Sequence, residues 1–359
     1  MDFLKKSSLL AMLFMGLCSC AKLDYLYEQS VGQISIFAKA RDNKEVISNV
    51  RIPKENRDKV KRIQELKKYF YLYWGKKETP IYSQTTMLKQ KAVTYLVIAS
   101  PFEEIKALEN CFPLMGCFPY LGFFNLNSAK KFADDKEKDG FVTWVRPVYA
   151  YSTLGYFTDT ILSSFFHYND IDLTEMIFHE LFHTIFFVKN EVELNENLAN
   201  YFSVAMMDEY FKSEGKSDYI TIHQKEDFEE KELKKLIVVL ANELQELYKN
   251  LLPKNREEAQ KILNEFLENR FKVEILKKCQ SLNIENKQCF PIERKWNNAS
   301  FAAFLTYENK SDELEKLQKK LKLNIKEYYH YISKKYEEYE NLDSKDKDEF
   351  SKFLFKELY

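Results

Sequence analysis

The segment from Leu173 to Val188, LTEMIFHELFHTIFFV, is apolar on nearly every side yet carries two histidines and a glutamate in its middle. A helix of that composition has no face to offer solvent and must lie at the centre of a fold. Burying His179, Glu180 and His183 there without partners would cost roughly 2 kcal/mol or more per group. Something must satisfy all three. At 3.6 residues per turn, positions four apart share a face, so both imidazoles can aim at one cation. Glu180, about 100° round the helix, can reach a water at that cation without ligating it. His-Glu-x-x-His on a helix is the pattern of a zinc site with its general base. Satisfied core histidines are the competing explanation, and they account poorly for the triplet taken together.

Asp172 and Glu175 fit an N-cap and N3 pair, which predicts a helix from Leu173 through Val188 with Asn190 left-handed beyond it. A catalytic zinc needs a third protein ligand and keeps a fourth position for water. Glu191, Glu193, Glu196, His167 and His223 are the candidates. The glycine and third histidine of the metzincin extension are missing, which favours a glutamate on a second helix. Leu194 to Phe202 reads as the start of such a helix, folded back by a turn at Lys189 to Glu193 and brought close by the small Ala199. Glu196 is therefore the expected ligand, with Asn200 on the same face able to support a histidine. An exposed glutamate in a first helical turn is the plainer reading of Glu196. The expectation is one Zn²⁺ per chain on His179, His183 and Glu196, with Glu180 as base. Tyr151 and Tyr307 are candidate oxyanion donors, drawn from 23 tyrosines.

The rest of the chain frames this centre. With 359 residues, 45% of them hydrophobic, there is enough material for a substantial core. A formal net charge of -1 gives no argument for nucleic acid as a partner. Lys5 and Lys6 precede an apolar run, Ser7 to Leu17, too short to span a bilayer but suited to an export signal. Leu17-Cys18-Ser19-Cys20 resembles a lipobox, so cleavage is expected before Cys20, with lipid on its thiol and amine. A plain cleaved signal is the alternative. These features imply a signal over 1–19 and a lipid-anchored protein of the bacterial envelope facing the periplasm. Of the remaining cysteines, proximity suggests Cys111 with Cys117 and Cys279 with Cys289, although three connectivities exist and a zinc-thiolate site competes.

Tyr25 to Leu72 looks helical with a break near Pro53. Val93 to Ile98 reads as a buried strand, and Phe141 to Tyr151 as a strand that Pro147 confines to an edge or a bulge. Tyr149 to Gly155 is a candidate for pairing with an extended peptide substrate. Ser128 to Lys138 is a short helix, and Glu226–Asn250, Arg256–Cys279 and Ser311–Tyr339 carry helical stripes. Asn297 and Asn298 either contact substrate amides or cap a helix from Ala299. The fold expected is α+β and predominantly helical. It would have an α+β part over 20–165 with a small sheet and a helical part over 166–359, together one catalytic unit.

Beyond these readings, the chain resembles a family of bacterial lipoproteins described as predicted aminopeptidases, with a gluzincin-type His-Glu-x-x-His followed by an Asn-Glu-x-x-Ala helix. The resemblance is carried by Gly32-Gln33, Cys111-Phe112-Pro113, Gly116 to Phe124, Ala150 to Gly155, Asn195-Glu196, Asn297-Asn298-Ala299 and Tyr307. Phe182 departs from the family's usual alanine and Asn197 from its frequent serine. The resemblance implies a zincin-like fold, with a small sheet beside the motif helix, and hydrolysis of peptide substrates. An envelope endopeptidase and a non-catalytic metal-binding lipoprotein are the alternatives.

Overall fold

The computed structural model describes residues 20–112, 116–150, 158–305, 311–343 and 348–358. The described chain begins with α1 (Cys20–Ala38), β1 (Arg41–Asp42), α2 (Asn43–Ser48) and α3 (Lys54–Trp74). Pro53 stands directly before α3, as the break in the pattern predicts: it has no N–H to leave unpaired at a helix start. Then come β2 (Gln84–Thr86), β3 (Thr94–Ser100), β4 (Asn110–Phe112), β5 (Gly116–Phe118), β6 (Leu121–Phe123), α4 (Leu126–Lys138), β7 (Val142–Val148) and β8 (Ile161–Leu162). From there helices dominate: α5 (Asp170–Phe182), α6 (Val192–Ser213), α7 (Ser217–Leu251), α8 (Arg256–Phe266), α9 (Lys272–Ser281), α10 (Phe290–Glu293), α11 (Asn298–Leu305), α12 (Ser311–Leu321), α13 (Ile325–Glu340) and α14 (Phe350–Phe355). The fold is α+β and mostly helical.

The β-branched run at Val93 to Ile98 becomes β3, the middle of an antiparallel sheet ordered β6-β3-β7. Pro147 lies on β7, opposite Tyr95, at the sheet edge where a missing N–H costs no ladder bond. A second small sheet joins β1, β2 and β8, the last two parallel. Cys111 and Cys117 face each other across the β4–β5 hairpin and are bonded, as are Cys279 and Cys289. Both pairings are those that proximity suggests, and disulfide formation removes these cysteines as zinc thiolates.

The predicted helix Arg256–Cys279 forms α8 and α9 with a π-helical turn at Leu267–Phe271 between them, and another predicted helix is divided outright. Ser311–Tyr339 splits into α12 and α13 because Lys322 turns left-handed (φ 55°) and Asn324 caps α13 in a reciprocal box with Glu327. The apolar stripe runs through that break unaltered, so periodicity alone misses it.

The largest core surrounds α5. Leu173, Ile177, Phe178, Leu181 and Phe182 are buried against α3, α6 and α13. Phe182 stacks on Phe202 of α6 with ring centroids 4.8 Å apart and meets Trp74 and Tyr329 edge-on. The large residue at this position is thus the hub of an aromatic cluster. Phe182→Ala should cost about 3–5 kcal/mol of stability in denaturant unfolding. A loss below about 1 kcal/mol would mean that the cluster collapses to fill the space.

Candidate metal centre

Helix α5 starts at Asp170 because the Asn169 side chain accepts the N–H groups of Ile171 and Asp172, at 2.9 and 2.8 Å. The N-cap is therefore Asn169, three residues upstream of the expected Asp172. Glu175 is not its capping partner. Its carboxylate lies 3.2 Å from Nε2 of His223 on α7.

The other end also departs from expectation, since α5 stops at Phe182 and His183 is its C-cap. Two side chains account for the early stop. The Thr184 hydroxyl donates to the Leu181 carbonyl (2.6 Å) beside Tyr71 of α3 (2.8 Å). Asn195 clasps Val188, accepting its N–H and donating to its carbonyl, both at 2.7 Å, and also donates to Glu191 (2.8 Å). These bonds satisfy backbone groups that a continued helix would otherwise pair. Asn190 takes the left-handed conformation as predicted (φ 65°). Asn195→Ala strands two buried backbone groups at roughly 1–3 kcal/mol each. The expected result is a loss of about 3 kcal/mol in stability with faster amide exchange at Val188, and an unchanged exchange rate would count against the clasp.

His183 keeps helical backbone angles, so the i, i+4 geometry of the histidines survives. α6 packs closely on α5, with Phe202 stacked on Phe182 and with Leu198 and Ala199 fully buried. That contact brings Glu196 over the imidazoles. Nε2 of His179 lies 3.2 Å from Oε2 of Glu196, Nε2 of His183 lies 3.5 Å from Oε1, and the two ring nitrogens are 3.3 Å apart. Four ligands at about 2.0–2.1 Å in a tetrahedron stand about 3.3–3.4 Å from one another. The two ring nitrogens stand at that separation, each nearest a different oxygen of Glu196, and one donor atom from each of the three residues lies within 4.8 Å of the other two; two imidazoles with a carboxylate are a zinc donor set.

Electrostatics favours a cation here. Burial depresses the His179 pKa, but its bond to Glu196 and the charges of Glu180 and Glu196 overcome this and leave it raised. His183, only 4% exposed and beside His179, is pushed down to about 4. Glu196 would rise through burial, yet the hydrogen bond from His179 and the two ring charges hold it low. The carboxylate thus stays ionised and His183 stays neutral, the forms in which each can ligate a metal. Asn200 lies within hydrogen-bond reach of His179, the supporting place expected of it.

The other candidate ligands lie elsewhere. Glu191 accepts the backbone N–H groups of Phe350 and Ser351, Glu193 is exposed, His223 pairs with Glu175, and the His167 ring lies against Tyr149. Asn297 caps α11 through the Ser300 N–H, and Asn298 is buried, held by Tyr248 and the carbonyls of Pro101 and Phe102. Both are structural rather than substrate contacts. Tyr151, Tyr307 and most of the Tyr149 to Gly155 segment lie outside the described residues.

The family model described as "Putative aminopeptidase" matches residues 24–350. The chain belongs to that family. No curated protein and no solved structure matches it. The aminopeptidase family match takes in all three small sheets of the described residues, the two helices of the His179–His183–Glu196 cluster and both disulfides.

Two tyrosines near Glu180 escape sequence reasoning. Tyr82 is buried in a left-handed conformation (φ 56°), its N–H bonded to Asp159 and its carbonyl to Asn43. Burial, then the charge of Glu180, raises its pKa far above the usual range. Tyr168 is half-buried, and burial with the charges of Asp172 and Glu180 raises it too. Nothing in the sequence distinguishes either from the other tyrosines.

Proposed function

We propose that the protein is a zinc-dependent aminopeptidase of zincin-like arrangement, held in the bacterial envelope by lipid on Cys20 and facing the periplasm. The observation that carries the reading is the triangle of residues His179, His183 and Glu196, whose ring nitrogens lie 3.3 Å apart and 3.2 and 3.5 Å from the two oxygens of Glu196. One Zn²⁺ there would polarise the scissile carbonyl and acidify water. Glu180, one residue from a ligand and outside the triangle, takes the water proton on its carboxylate and returns it to the leaving amine. Tyr151 and Tyr307 remain candidate oxyanion donors. Tyr168 joins them, because it is partly exposed and close enough for the charge of Glu180 to act on its hydroxyl.

The family description supports removal of N-terminal residues, whereas the same donors would also serve an endopeptidase. Peptides with free and with N-acetylated termini separate the two. Cleavage should be confined to the free amines and should stop on chelation, returning with added zinc. Equal rates on both peptides would sink the aminopeptidase reading, and activity that survives complete chelation would sink the metal.

A further inference from the structure

Cys20 already lies within helix α1, so no linker separates the proposed lipid-bearing residue from the rest of that helix. Its inner face is fixed. The Tyr25 ring lies against Phe112 and Phe123 at 5.6 and 5.3 Å, Gln29 donates to the Gly122 carbonyl at 2.9 Å, and Ile36 is buried. At Gly32 even a methyl group would stand 2.2 Å from the Phe124 ring, so the helix rests directly on that residue. A tether this short and this well docked cannot swing freely.

The opposite face is apolar as well. Leu26, Tyr27, Val31 and Ile34 are 39, 73, 46 and 65% exposed, and helical spacing puts them in one stripe with Ser30. The stripe carries no charged residue. It starts about 9 Å along the helix from Cys20, at 1.5 Å per residue. The residues before it include the apolar run Ser7 to Leu17, which delivers Cys20 to a membrane in the export reading. Among the described residues no helix is long and apolar enough to cross a bilayer. An amphipathic position at the surface is what remains for an apolar stripe beside an acylated cysteine.

We infer that α1 lies flat in the membrane interface, with Leu26, Tyr27, Val31 and Ile34 among the phospholipid headgroups. This inference rests on the lipid anchor at Cys20. The acyl chains suffice for retention, so the stripe sets orientation: it holds the body flush on the bilayer with one face inward. Without basic residues in the stripe, neutral and acidic phospholipids serve equally.

The test uses the lipidated protein with Ser30→Cys, a free thiol beside a lipidated Cys20 and two closed disulfides, labelled with an environment-sensitive dye. In phosphatidylcholine vesicles, brominated lipids should quench the dye at a depth of about 5–10 Å. Val31→Ser with Ile34→Ser, both surface changes, should abolish that quenching while the protein stays vesicle-bound. A water-exposed dye on vesicle-bound protein would overturn the docked helix and leave the anchor standing. Failure to partition would overturn both. A dye shielded equally in dilute detergent, without vesicles, would assign the stripe to a second copy and overturn the inference.

Discussion

Replacing Glu180 with glutamine is expected to slow peptide hydrolysis by about 10²–10⁴-fold, the usual contribution of a positioned general base, while zinc content is unchanged. Shape and hydrogen-bonding capacity are nearly conserved and no donor of the triangle is touched. Only the ability to accept a proton is lost. Metal analysis beside turnover separates the possible results. Unchanged turnover would remove Glu180 from the mechanism. Metal lost along with activity would make Glu180 a support of the site rather than its base.

Glu196→Ala should instead empty the site. Residues that merely support a ligand commonly contribute 10–100-fold in metal affinity, and a direct ligand should exceed that, so a loss of at least about 100-fold is expected. The half-buried pair His179 and His183 would keep their mutual contact but lose the carboxylate that holds the third corner. Glu193→Ala, one turn earlier on the same helix and exposed, is the matched control and should retain zinc. If the two variants bind zinc equally, the third ligand comes from elsewhere and the triangle is only a hydrogen-bonded cluster.

How much of this was legible depended on how local each feature is. His179 and His183 could be paired from sequence because a four-residue spacing fixes their common face whatever surrounds them. Glu196 followed from the apolar pattern resuming after a polar turn. The end of α5 could not be read, because Ile185 to Val188 continue the apolar pattern and the clasp that stops the helix belongs to Asn195 on the next element. Asn169 and Asp172 are both good caps, and local sequence does not rank them. The division at Asn324 was signalled by Glu327 three residues on, but the unbroken stripe outweighed it. Tyr82 carries no local mark. Its conformation is imposed by Asn43 and Asp159, distant in the chain.

Glu191 connects two parts of the chain that are far apart in synthesis. It stands between the ligand helices α5 and α6, and its carboxylate accepts the first N–H groups of α14 from Phe350 and Ser351, the latter at 2.9 Å. The segment that spaces His183 from Glu196 is therefore held by residues 159 and 160 positions further along the chain. The distance between His183 and Glu196 along the chain is thus closed by a partner 159 residues away, so the geometry of the cluster belongs to the folded whole and not to the α5–α6 hairpin alone.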